Sequence, residues 1–488
     1  MIKSKASVTD FAIMAFLLFG RLGFLLLSPT EVVGDGVGYV SAAQTIVGSG
    51  KLPALVSQPR GYSLFIAPLL MARGIEIDRA VLIMNALMDI SVVGLLFWIA
   101  KRVLPEPKNR WPRLLCWLLV AIQPFTAEMV TSFYTETPTM FFVFVGVWLL
   151  FIPSYFVARI VGFACLGVSS LFRIDVLVLN IVAGITYLVL FRRKAFDTRG
   201  TPLGLVLLCA FPISMLAYQY YSTREIGLVK LEFRQSGYYA WMQTWFAIER
   251  SEFDHFAFNI GTENWPGFDI ANYPSRAFDS ATERNRVAGL LATLRTAGYI
   301  GPVDQGFHQL ALEKFKQHPV RSFVLIPMLR MIHFWINIGS AQTYLRVLPL
   351  KRPVSTLVVA FTISLRLVLI FCAAIGAYFV WLRPPIPITD QVLLARFASL
   401  LVLLRTAELG VLGAVTWGGL MEIRYVIVAF PFMIILSIWG VRYLAMRLSD
   451  SPPKDIGRNS FRKIRSASAR PPMGDKTHSY RGRVVLGA

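Results

Sequence analysis

Long apolar blocks, separated by short polar segments, dominate this chain. Each block is about 17–28 residues long, enough to cross the ~30 Å hydrocarbon core of a bilayer, and the blocks are continuous and not alternating as barrel strands are. The pattern predicts an all-α polytopic membrane protein. About ten spans are expected, at residues 11–27, 80–100, 114–126, 138–152, 156–172, 176–191, 202–221, 355–381, 392–415 and 425–444.

Two further apolar segments do not fit a simple span. The stretch 62–71 is too short to cross and predicts a helix lying at the membrane interface. The run 320–338 contains Arg330, His333 and Asn337, which share one helix face at spacings of three and four. A polar stripe at membrane depth must face protein, water or headgroups, so we expect a half-inserted helix that lines a cavity. If this helix crosses, the number of spans rises to eleven.

Charge separates the two sides of the predicted membrane. The chain is 55% hydrophobic and 16% charged with a net charge of +21, against about 25% charged residues in soluble domains. The tail from Arg447 has ten basic and three acidic residues, whereas residues 222–319 have ten basic and eleven acidic. Because basic loops stay inside, residues 222–319 are predicted to lie outside and both termini inside. Aromatic residues are sparse in the basic tail, so no nucleic-acid partner is expected.

The predicted organisation is one membrane module, residues 1–448, followed by a basic tail, 449–488. The tail is rich in Ser and Pro and is predicted to be disordered, in contact with anionic lipid. The outer loop, 222–319, is rich in aromatic residues and long enough for a small helical cap. The four cysteines sit in apolar runs and predict neither a disulfide framework nor a metal site.

Polar side chains near the predicted span ends fall on one side, the outer one. They are Asp35, Arg60, Glu128, Glu136, Arg173, Asp175, Glu422 and Arg424. Ionisable groups at such positions are candidates for function and indicate one external cavity. The alternative is that they cap helices and pair with one another.

Six short motifs occur in an order that resembles a known family. They are Asp35 with Tyr39, Pro59-Arg60-Gly61-Tyr62, Thr135-Glu136-Thr137, Arg173, His318-Pro319 and Glu422-Ile423-Arg424-Tyr425. The chain resembles the GT-C superfamily of integral-membrane glycosyltransferases, and most closely its protein O-mannosyltransferase and aminoarabinose-transferase branch. Those enzymes usually carry a second acid after the first, and here that position is Gly36.

The resemblance implies a GT-C-type bundle of ten or eleven helices with outer juxtamembrane helices and a periplasmic loop. It implies a multi-pass protein of a bacterial inner membrane that moves a sugar from a polyprenyl-phosphate donor to a lipid, polysaccharide or protein acceptor on the periplasmic face. No cofactor is expected. One well-placed acid is too few to predict a divalent-cation site, and a divalent cation stays open.

Residue roles follow from the same chemistry. Asp35 is the expected base of an inverting transfer, and Glu136 positions the acceptor or the Asp35 loop. Arginine binds phosphate in a two-pronged fashion. The donor-phosphate candidates are Arg60, Arg173, Arg330 and Arg424, and the substrate-binding candidates are Tyr39, Tyr62, Trp241, Trp245, His333 and Glu422. For Trp241 and Trp245, sugar stacking and a place in the interfacial aromatic belt are equally good interpretations.

Two other functions stay open. One is an O-antigen ligase or polymerase that uses a diphosphate-linked oligosaccharide. Such enzymes have a large outer loop but usually carry their key Arg and His there and lack an acid after the first span. The other is a flippase or transporter of lipid-linked sugars, for which paired, Gly- or Pro-interrupted helices would be expected.

The charge distribution makes a testable prediction about topology. A reporter inserted in the basic segment 105–110 or fused after Ala488 should be active only in its cytoplasmic form. A reporter inserted in the outer loop, at 247–250, should be active only in its exported form. An exported signal from the C-terminal fusion would favour eleven spans over ten.

Overall fold

The structure, a computed structural model, describes sixteen stretches of the chain. They are residues 8–27, 35–51, 61–71, 76–104, 111–122, 126–131, 133–151, 155–173, 175–190, 200–223, 235–246, 256, 260–336, 354–385, 389–416 and 423–448. Within these stretches the regular elements are helices and none is a strand, which confirms the all-α class. The chain divides into two units, Met1–Tyr443 and Leu444–Ala488. Of the second unit, only residues 444–448 are described.

Within the described residues, ten helices end at or before Thr223. They are α1 (Val8–Leu27), α2 (Asp35–Ser49), α3 (Gly61–Met71), α4 (Ile77–Val103), α5 (Trp111–Ile122), α6 (Ala127–Thr131), α7 (Glu136–Phe151), α8 (Phe156–Phe172), α9 (Val176–Leu190) and α10 (Gly200–Thr223). The predicted interfacial helix at 62–71 is present as α3. A further helix, α2, precedes it and begins at Asp35 itself.

Seven more helices lie between Ser236 and Leu448 in the described part of the chain. They are α11 (Ser236–Gln243), α12 (Ala281–Ala297), α13 (Gly301–Gln317), α14 (Ile326–Ile336), α15 (Val354–Leu382), α16 (Asp390–Thr416) and α17 (Phe430–Leu448). A π-helical turn, Arg321–Leu325, leads into α14, and a 3₁₀ segment, Ile423–Ala429, leads into α17.

Four segments among the described residues are long and apolar enough to cross a membrane. These are Val8–Leu27, Ile77–Val103, Val359–Leu382 and Val426–Leu448, and six shorter apolar helices of 10–17 residues accompany them. Spans need about 18 or more apolar residues by length alone. The predicted total of ten or eleven therefore depends on the shorter helices.

Small residues let the apolar helices approach closely. Gly440 of α17 lies so near the Cys372 carbonyl of α15 that a Cβ there would collide with it, and Gly376 meets Leu436 in the same way. The Ser437 hydroxyl donates to the Leu369 carbonyl across this crossing at 2.8 Å. Such contacts are typical of helices that pack within lipid, where apolar burial alone gives no preference for protein contact. Residues 430–441 of α17 are all buried, so this helix forms the centre of its bundle.

The described residues of the segment 222–319, which are 235–246, 256 and 260–317, fold as a helical cap around their own aromatic core. Helix α11 packs on α13, and the Trp241 indole donates to Glu283 at 3.1 Å. Lys314 pairs with the same carboxylate at 2.9 Å, and Ser280 caps α12 by accepting from the Glu283 amide. The Asp279 amide also donates to the Glu283 carboxylate, at 2.7 Å, so this buried carboxylate accepts from three parts of the cap.

The α15–α17 crossing makes a prediction about stability. Gly440→Ala must push the two helices apart and should destabilise the protein by about 1–3 kcal/mol. Gly94→Ala is the matched control, because Gly94 is also inside a helix but a Cβ there meets no atom within 4 Å. The control should be neutral or stabilising by up to ~1 kcal/mol. Unfolding of both variants in detergent would measure the difference, and equal melting temperatures would contradict the close crossing.

Candidate functional site

Three helices begin close to one another near the end of α8. A Cβ on Gly36, in the first turn of α2, would collide with the Phe133 side chain, three residues before α7 begins. A Cβ on Gly61, the first residue of α3, would collide with the Leu171 carbonyl of α8. Only glycine allows these approaches. We call this place, where α2, α3 and α7 begin and α8 ends, the junction.

Two of the predicted substrate-binding tyrosines lie in the junction. The rings of Tyr39 and Tyr62 meet edge to face, with centroids 5.1 Å apart. Tyr62 also packs edge-on against Phe172, at 6.4 Å. Both tyrosines are buried in an apolar cluster with Phe133 and Phe172. The first turns of α2 and α3 are therefore held by aromatic packing against the α7 and α8 ends.

Glu136 and Arg173, predicted for two different roles, form one buried ion pair. Arg173 follows α8 and its Nη1 lies 2.5 Å from Oε1 of Glu136, the first residue of α7. Nε and Nη2 of Arg173 donate to the two oxygens of Asp175 at 3.1 and 3.0 Å. The guanidinium thus holds two carboxylates at once, in the two-pronged geometry that arginine favours.

The ion pairs continue into α16. Nη2 of Arg405 lies 2.5 Å from Asp175 Oδ2, and its Nη1 lies 2.8 Å from Glu408. We call the set Glu136, Arg173, Asp175, Arg405 and Glu408 the charge chain. Arg405 and Glu408 were not among the candidates, although two charges inside an apolar run are a signal of intramembrane function.

Charge balance within the chain explains how it tolerates burial. It contains three carboxylates and two guanidiniums, so its formal charge is −1. Burial alone would raise the pKa of Asp175, but the charges of Arg173 and Arg405 and their hydrogen bonds lower it well below the ordinary value. Asp175 therefore stays ionised and bridges the two arginines.

A second buried network serves to join helices. Arg21 of α1 pairs with Asp89 of α4 at 2.6 Å and donates to the Ala121 carbonyl at 2.8 Å. Thr126 donates to the same aspartate at 2.5 Å. The four groups satisfy one another across α1, α4 and the α5–α6 connection, which fits a structural role.

Three predicted site residues lie in or against the cap. The Trp241 and Trp245 rings are within its core, at 0% and 1% exposure, so neither offers a face for a sugar to stack on. Arg330 donates to the Phe246 and Gln243 carbonyls at 2.9 and 2.8 Å. It thereby caps the C-terminal end of α11, a favourable place for a cation.

The cap also contains a Ser, an Asp and a His in contact. Ser236 Oγ lies 3.0 Å from His308 Nε2, but Asp304 approaches that same Nε2 at 3.6 Å. Asp304 accepts instead from the Gly237 amide at 2.6 Å and from the Tyr299 hydroxyl at 2.8 Å. The carboxylate caps the start of α11, and the arrangement is not that of a nucleophilic triad.

The remaining predicted residues cannot be placed with the others. Arg60 and Glu422 lie outside the described residues, and so do the side chains of Asp35, His333 and Arg424, whose backbones are described. Among described side chains, no group of three or more His, Cys, Asp or Glu could hold a metal ion. The junction therefore brings together the Asp35 backbone, Tyr39, Tyr62, Glu136 and Arg173.

Comparison with known proteins adds no relative. No family model, no curated protein and no solved structure matches this chain.

The charge chain makes a prediction about stability. Arg173→Ala leaves the buried Glu136 without this partner and should cost about 3–5 kcal/mol of unfolding free energy. Arg286→Ala is the control, because its pair with Glu313 is exposed, with side chains 42% and 48% accessible, and should cost less than ~1 kcal/mol. Denaturant unfolding in detergent would measure both. Similar losses in the two variants would contradict a buried, mutually dependent set.

Proposed function

We propose that this protein is a glycosyltransferase of the outer face of a bacterial inner membrane. It takes a sugar from a polyprenyl-phosphate lipid and passes it to a lipid, polysaccharide or protein acceptor. The observation that carries the proposal is the junction, where the start of α2 at Asp35 lies beside Tyr62 and the Glu136–Arg173 pair. Four residues from separate parts of the sequence thus meet at one end of an apolar helix bundle.

The chemistry needs a base beside the anomeric carbon and a cation at the leaving group. The acceptor oxygen or nitrogen attacks the anomeric carbon, the bond to the phosphate oxygen breaks, and polyprenyl phosphate leaves with the electron pair. Asp35 takes the proton of the acceptor. Because the acceptor attacks in one step from the face opposite the phosphate, the anomeric carbon is inverted. Glu136 positions the acceptor or the first turn of α2, and the buried rings of Tyr39 and Tyr62 shape the wall of the site.

The arginines divide into two roles in this proposal. Arg173 donates to two carboxylates, and a phosphate would have to displace one of them, so we assign it to positioning Glu136. Arg330 is engaged with carbonyls of the cap. Arginine matches phosphate geometry. Because Arg173 and Arg330 are already engaged, Arg60 and Arg424 are the better candidates for the donor phosphate. A divalent cation bound together with the donor is compatible with this scheme.

A transporter of lipid-linked sugars is the second candidate. The charge chain favours it, because buried ionisable groups among apolar helices commonly line the paths of ions and substrates. A transporter would bind the same donor and move it across the bilayer without making a product.

Donor turnover separates the two. Purified wild type and Asp35→Asn, in detergent, would be incubated with radiolabelled polyprenyl-phosphate sugars and membrane lipid extract. We expect wild type to transfer the label and Asp35→Asn to be slower by about 10²–10⁴-fold, the usual contribution of a general base.

The matched control is Asp78→Asn, which changes an acid in the first turn of α4 and should retain wild-type rates. No transfer from any donor would contradict the enzyme. Labelled lipid that crosses liposomes containing the protein without forming product would establish the transporter.

A further inference from the structure

Arg405 joins the charge chain from a distant part of the sequence. It lies in α16, its side chain is 0% exposed, and 230 residues separate it from Asp175, to which it donates. A fully buried guanidinium is costly unless it is paired and hydrogen-bonded. Its two carboxylate partners, Asp175 and Glu408, meet that requirement.

Asp175 links this arginine to the junction. One carboxylate accepts from both Arg173 and Arg405. With Arg405 in place, Arg173 can share its donors between Asp175 and Glu136. Without Arg405, Asp175 would depend on Arg173 alone and would compete with Glu136 for it.

We propose that Arg405 is a positioning residue for the candidate site, acting through Asp175 and Arg173 on Glu136. The catalytic role of Arg405 rests on the proposed glycosyl transfer. Its electrostatic coupling to Glu136 through Asp175 and Arg173 is independent of that proposal. Among the described residues, the ionisable groups that face Arg405 include Asp175, Arg173 and Glu408. Tyr62 of α3 faces Glu136 at the other end of the charge chain. Arg405 thereby ties the middle of α16 to the start of α7.

Charge counting gives a matched set of variants. The wild-type chain has a formal charge of −1, from three carboxylates and two guanidiniums. Arg405→Gln makes it −2, and the double variant Arg405→Gln with Glu408→Gln restores it to −1. Arg405→Lys keeps the charge but loses the fixed fork geometry. Arg286→Gln on the cap surface is the control for an unrelated arginine.

The transfer assay gives the first readout. We expect Arg405→Gln to lower kcat about 100-fold with little change in KM for the donor, because misplacement distant from the chemistry acts on the reacting geometry. The pH of half-maximal activity on the acid side of the profile should rise by about one unit, because loss of a nearby positive charge raises the pKa of the carboxylates. The double variant should show the wild-type pH profile. Arg405→Lys should also show the wild-type pH profile, but with a lower kcat.

An infrared readout is independent of turnover. Arg405→Gln should show a protonated-carboxyl band at neutral pH that wild type and the double variant lack, because a buried charge of −2 favours uptake of a proton. If this variant does not fold, Arg405→Lys and the double variant still test the coupling.

The two proposals fail in different ways. Wild type that transfers sugar, with Arg405→Gln matching Arg286→Gln in kcat and pH profile, would overturn the positioning role and leave the enzyme intact. Absence of transfer in wild type, with the infrared band present in Arg405→Gln, would overturn the enzyme and leave the coupling. Absence of the band in a folded Arg405→Gln would overturn the coupling.

Discussion

The buried carboxylate of Asp175, held between Arg173 and Arg405, is the interaction on which the arrangement of the candidate site depends. A charge removed from water must find opposite charge and hydrogen bonds, or it destabilises the fold by several kcal/mol. Asp175 obtains them from two guanidiniums on different elements. The connection between α8 and α9 must therefore lie against α16, and through Arg173 against the first turn of α7.

The same constraint governs what the site can do. Because the two arginines are engaged by three carboxylates, the charge chain is better suited to hold Glu136 in place than to bind a phosphate. A donor phosphate then needs cations from elsewhere, and Arg60 and Arg424 are the predicted arginines that remain. Aromatic packing of Tyr39, Tyr62 and Phe172 brings the start of α2, and with it the Asp35 backbone, to the same place. Ion pairs and aromatic packing thus both hold the junction together.

Much of the fold could be predicted, because a continuous run of apolar residues indicates a helix without reference to distant parts of the chain. The span expected at 156–172 is α8 with the same bounds, and the short helix at 62–71 is α3. The one-sided set of acids and arginines predicted an external cavity, with mutual pairing as the alternative, and Glu136, Arg173 and Asp175 do pair with one another. Arg405 could not be assigned because its partner Asp175 is 230 residues away, and both Arg405 and Glu408 lie inside a run that reads as a plain span. Trp241 and Trp245 could not be assigned either, because core packing and sugar stacking require the same residues at the same spacing.

The central claim is that the junction is where a lipid-linked sugar reacts. An experimental structure of the protein with a bound, non-transferable polyprenyl-phosphate sugar analogue would test it most directly. We predict that the sugar lies between the first turn of α2 and Glu136, with the phosphate on Arg60 or Arg424 and with the Arg173–Asp175–Arg405 contacts unbroken. A ligand bound at the opposite end of the bundle, or a phosphate held by Arg173 in place of Asp175, would contradict this account.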